Sequence, residues 1–134
     1  MPRNILDEAR VHPAVRPQLA GYHADVIREV ETAIAAHAVV VVGMRQNPWP
    51  KKARRLLDAA GIPYAYLEYG SYVAEWRRRL ALKMWTGWPT FPMVFVKGVL
   101  VGGAKDLYKL AESGELKTLL AALAPGVTPA DCAP

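Results

Sequence analysis

The sequence predicts a small mixed α/β sandwich in the order helix, strand, helix, strand, helix, strand, strand, helix. Three stretches carry that reading. "AVVVVG" (38–43) is a β-branched run without alternation, as expected of a central strand covered on both faces. "MVFVKGVLVGG" (93–103) holds two apolar runs around Lys97-Gly98, a β-hairpin signal. From the first of them a strand-helix-strand pattern runs to residue 69, which demands a parallel pair with a right-handed crossover and joins the hairpin in one sheet.

Each element follows from local chemistry. Residues 1–16 are polar, hold no sustained period and read as a loose leader with one short helical turn. From Pro17, which suits a first helical turn, Leu19, His23, Val26, Ile27, Val30, Ala33 and Ile34 recur at helical spacing, giving an additional helix over 17–37. His23 on that face reads as a packing histidine, since no partner stands at metal-ligand spacing. A second helix ends at Gly61, before Ile62-Pro63, and "YAYLEY" (64–69) is a strand. Ser71 suits the N-cap of a third helix, in which Val73, Trp76, Leu80 and Met84 form a core stripe. A last helix runs from about Lys105 to Ala124 with a break at Gly114, followed by a tail (125–134) rich in Pro, Ala and Gly and expected to be poorly ordered.

Bulk properties narrow the function. The chain has 134 residues, 52% of them hydrophobic, which matches one domain with a real core. Its formal net charge of +5 favours anionic partners. The basic clusters Lys51, Lys52, Arg54, Arg55 and Arg77, Arg78, Arg79, Lys83 read as solvated helix faces; no aromatic-rich motif accompanies them, which argues against nucleic acid. The longest apolar stretch, Ala33 to Val42, contains His37 and is too short for a membrane span. The first residues lack the order of a secretory signal, so the expected location is cytoplasmic. Cys132, the single cysteine, cannot form an internal disulfide, in keeping with a reducing compartment.

"TGWPTFPMVFVKGVLVGGAKDLYKLAESGEL", preceded by a strand-loop-helix of the right length, resembles the glutaredoxins. The resemblance spans about Ala38 to Leu123 and defines a domain over 38–124. It implies a thioredoxin-like fold: a central four-stranded mixed sheet flanked by helices, with the N-terminal helix as an addition. The family's Cys-x-x-Cys or Cys-x-x-Ser motif falls on Asn47-Pro48-Trp49-Pro50. An asparagine amide neither ionises nor attacks a disulfide, so the resemblance implies loss of thiol catalysis. On its own chemistry the loop starts a helix: Asn47 is a good N-cap, Pro48 suits the first position, Pro50 still falls in the first turn, and Trp49 is displayed beside Lys51 and Lys52.

The same resemblance implies a glutathione site. Thr90-Phe91-Pro92 matches the segment with a cis-proline that meets the central cysteine of the tripeptide. Arg79 and Lys83 match the cations for its glycine carboxylate. Gly102-Gly103-Ala104 and Asp106 match the turn that holds the γ-glutamyl end, while Lys105 departs from the pattern and would repel the ammonium. Met44 replaces the family's lysine, with Arg45 beside it. Arg45, Asn47 and Trp49 complete the candidate set. The expected function is non-catalytic binding of glutathione, another small anionic ligand, or a protein partner. The alternative is a glutathione-dependent oxidoreductase or transferase-like enzyme relying on bound glutathione. No metal or iron-sulfur cluster is expected, because cluster ligation in the family depends on the cysteine that Asn47 replaces. Cys132 reads as inert, since the neighbouring Asp131 would raise its pKa.

Overall fold

Five residues in a row, Val39 to Gly43, are buried, and together they form strand β1. Ala65–Glu68 (β2), Met93–Val96 (β3) and Val99–Gly102 (β4) complete one sheet, in the order β2-β1-β3-β4. The computed structural model describes residues 3–45, 47–70 and 75–121. β1 pairs parallel with β2, Val40 opposite Ala65, and antiparallel with β3, Val40 opposite Phe95. β3 and β4 form the expected hairpin, and Lys97 and Gly98 at its turn both have positive φ.

The alternation of a strand explains why four consecutive valines all become core. Val39 and Val41 face a layer made by Pro48–Ala59 (α3), Ala104–Ser113 (α5) and Glu115–Ala121 (α6), where they pack with Leu57, Leu107 and Leu116. Val40 and Val42 face the opposite layer, made by Ala24–Ala36 (α2) and Trp76–Thr86 (α4), with Val26, Val30 and Leu82. The sheet therefore has no solvent face at its centre. The expected break at Gly114, whose φ is 83°, separates α5 from α6.

The additional N-terminal helix is present but interrupted. Arg16–Gly21 (α1) ends at Tyr22, and His23 takes a left-handed conformation with φ 44° before α2 begins. His23 then stacks edge-on against Tyr22, with ring centroids 4.9 Å apart. Within the leader, Glu8–Arg10 form a short 3-10 turn capped by Asp7, and Val11 is buried.

The core stripe of α4 differs from the expected one. Trp76, Leu80 and Met84 are exposed at 50%, 39% and 50%, whereas Arg79, Ala81 and Leu82 are buried; Val73 and the expected N-cap Ser71 lie outside the described residues. Two arginines set this rotation. Arg79 donates from Nη1 to the Tyr69 carbonyl at 2.9 Å, so its stem must run inward. Arg78 reaches back to α2, meeting Glu29 at 2.6 Å and Asp25 at 3.5 Å, while its other nitrogen meets Glu75 at 3.0 Å. An arginine cluster that reads as a solvated face is in part the glue between α2 and α4.

This corrected stripe has a direct test. Leu82→Ala removes a fully buried side chain and is expected to cost about 2–5 kcal/mol in urea denaturation, whereas Leu80→Ala is expected to stay within about 1 kcal/mol of wild type.

Candidate functional site

The end of β1 and the start of α3 approach more closely than any side chain would allow. A Cβ on Gly43 would stand 2.8 Å from the Cβ of Pro50 and 3.0 Å from the Tyr66 ring. Only glycine lets the first turn of α3 rest there. The backbone beyond β1 continues its pairing with the chain that follows β2: Tyr69 donates to Gly43 O at 3.0 Å and Arg45 to Gly70 O at 2.6 Å.

Asn47 caps α3. Its Oδ1 accepts from Trp49 N at 3.0 Å, and its Nδ2 donates to Phe91 O at 3.3 Å, across 44 residues of chain. The Phe91-Pro92 peptide bond is cis. One side-chain amide thus ties the helix start to the loop that enters β3. Because Pro48 and Pro50 lack N–H groups and the Trp49 N–H is committed to Asn47, the first turn of α3 keeps few free donors for an anion.

A second helix start closes the site from the other side. Asp106 Oδ2 accepts from Gly103 N at 3.0 Å, and Leu107 N donates to Gly103 O at 3.0 Å, which begins α5. Gly102 has φ 108°, and a Cβ there would fall 2.6 Å from Asp106 Oδ2, so the glycine serves both backbone and carboxylate.

Between these segments lies a cavity of about 320 Å³ lined by Trp49, Trp88, Thr90, Phe91, Pro92, Gly103, Ala104, Lys105 and Asp106. It gathers the expected loop and turn residues in one place, and Asn47 adjoins it through Phe91. The expected cations are distributed differently. Arg79 is buried with its guanidinium on the Tyr69 carbonyl, which removes it from the surface where a carboxylate would dock. Lys83 reaches the same loop from α4, its Nζ 5.8 Å from the Phe91 ring centroid. Arg45 is exposed and pairs with Glu68 at 3.7 Å, while Met44 is buried.

Trp49, at the lip, is 38% exposed and carries a cation on its ring: Lys52 Nζ lies 4.2 Å and Lys105 Nζ 5.2 Å from the centroid. Trp88 forms a wall of the cavity, and its Nε1 is buried without a hydrogen-bond partner among the described residues. Two nearby tyrosines supply no base. Burial pushes the hydroxyls of Tyr66 and Tyr69 up to about 12, so both stay neutral at physiological pH. Among the described residues no group of three or more His, Cys, Asp or Glu is placed to hold a metal, and no helix is long and apolar enough to cross a membrane. Cys132 lies outside the described residues.

Comparison with known proteins agrees with this geometry. The family model "Glutaredoxin" matches residues 39–101. A glutaredoxin-like protein of Dictyostelium discoideum is 50% identical over 95 residues, covering 71% of this chain and 77% of the relative. The probable monothiol glutaredoxin GrlA of Legionella pneumophila is 32% identical over 77 residues, covering 58% of this chain and 83% of the relative. Among solved structures, oxidized glutaredoxin 2 of Chlamydomonas reinhardtii superposes with a TM-score of 0.62 at 31% identity, covering 72% of this chain and 92% of that one. A buckwheat glutaredoxin-glutathione complex superposes with a TM-score of 0.66 at 23% identity, covering 78% of this chain and 92% of that one. With half of the 95 residues aligned to one relative identical, over 77% of that relative's length, and the family model matched across β1 to β4, the chain belongs to the glutaredoxin family.

Proposed function

We propose that this protein binds glutathione in the cavity beside Pro92 and does not exchange disulfides through a thiol of its own. The observation that carries this reading is Asn47, which stands at the start of α3 and commits both polar ends of its amide to backbone, at Trp49 N and Phe91 O. Such a side chain holds the site's shape and has no thiolate to offer.

The cavity suits a peptide-like anion. The Phe91 backbone meets the central residue of the tripeptide, and its carbonyl keeps a second lone pair after accepting from Asn47. The γ-glutamyl end lies at Gly103 and Ala104, with Asp106 for its amine, and Lys83 serves the glycine carboxylate. A cytoplasmic setting, rich in glutathione and reducing, fits this role. The alternative of a transferase-like enzyme needs donors that make a bound thiol more acidic, and Pro48 and Pro50 remove two of them from the first turn of α3.

Titration with glutathione, followed by backbone amide NMR, is expected to shift Phe91, Ala104 and Asp106; an unchanged spectrum would overturn the reading. In a glutathione-dependent disulfide reduction assay the protein is expected to show no turnover, and turnover that persists in Cys132→Ser would refute the non-catalytic assignment. Asn47→Cys is expected to gain slow but measurable turnover. Asn47→Ala, which loses the cap, is expected to cost about 0.5–2 kcal/mol in denaturant unfolding.

A further inference from the structure

A larger hollow adjoins the cavity. It measures about 850 Å³ and runs between α3 and α5, over Leu56, Ala59, Ala60, Tyr108 and Ala111. Trp49, Ala104 and Lys105 line both spaces, so the two adjoin at the lip. The lining surface is mostly apolar, and Lys52, Lys105, Lys109 and Glu112 contribute to it. Trp49 is 38% and Tyr108 56% exposed, leaving substantial aromatic surface uncovered among the described residues.

We propose that the combined site takes glutathione S-conjugates, thioethers in which the tripeptide sulfur carries an alkyl or aryl group, with that group lying in the α3–α5 hollow. The proposal rests on the glutathione reading above and narrows it to a ligand class. Three features select this occupant. The hollow adjoins the tripeptide cavity along Trp49, Ala104 and Lys105, so a group carried on the tripeptide sulfur has a neighbouring apolar space to enter. Its size falls within the roughly 300–1,000 Å³ of small-molecule sites, and its lining suits an apolar arm. A thioether, finally, needs no nucleophile at position 47, because nothing is to be cleaved.

Calorimetric titration of the full chain with glutathione and with S-hexylglutathione tests this. S-hexylglutathione is expected to bind about tenfold tighter or more, as burial of several methylenes requires. Ala59→Glu and Tyr108→Ala, both at exposed positions, are expected to abolish that preference and leave the affinity for glutathione unchanged. Equal affinity of the wild-type protein for the two ligands would overturn the inference while leaving glutathione binding intact, and no binding of either would overturn both readings. A chain shortened to residue 124 that showed a preference absent from the full chain would assign the hollow to the C-terminal tail and likewise overturn the inference. A preference that survived both substitutions would place the alkyl arm elsewhere and count against it too.

Discussion

The end of β1, the first turn of α3 and the loop before β3 are pressed together, and the rest of the site depends on how that junction is made. Gly43 removes the side chain that would hold Pro50 away, and Asn47 then bridges the helix start to Phe91 O. Neither device is interchangeable with its neighbours. A larger residue at 43 displaces the helix, and an apolar residue at 47 leaves a buried end of the loop without its donor. The cavity beside Pro92 exists because these two contacts fix its walls before any ligand arrives.

The chemistry at this junction follows from what the helix start offers. An α-helix normally presents three or four free N–H groups to an anion. Here two positions are proline and a third donor is taken by the cap, so the loop is stiff and electrostatically modest. Positive charge reaches the site from side chains instead: Lys52 and Lys105 beside Trp49, and Lys83 beside Phe91. Charge carried on exposed side chains is screened by salt.

Much of this was legible in the sequence. Four consecutive valines declare a strand covered on both sides, and Lys97-Gly98 between apolar runs declares a hairpin, because both are local patterns with few structural alternatives. The gathering of Thr90 to Pro92 with Gly103 to Asp106 was legible through resemblance to a family. The rotation of α4 was not: arginine is usually solvated, and nothing in its neighbours reveals that Arg79 will find the Tyr69 carbonyl or Arg78 the carboxylates of α2. The break at His23 was hidden for a similar reason, since the surrounding apolar period continues through it. The α3–α5 hollow escaped because its walls come from helices about 50 residues apart, and no short-range signal spans that distance.

Trp49 sits on the boundary of both spaces with an ammonium on its ring. Indole emission responds to nearby charge and to the exclusion of water, so anything that enters either compartment perturbs this fluorophore. Of the chain's four tryptophans Trp88 borders the smaller cavity alone, whereas Trp49 borders both spaces, which gives the molecule an intrinsic optical gauge of occupancy in either.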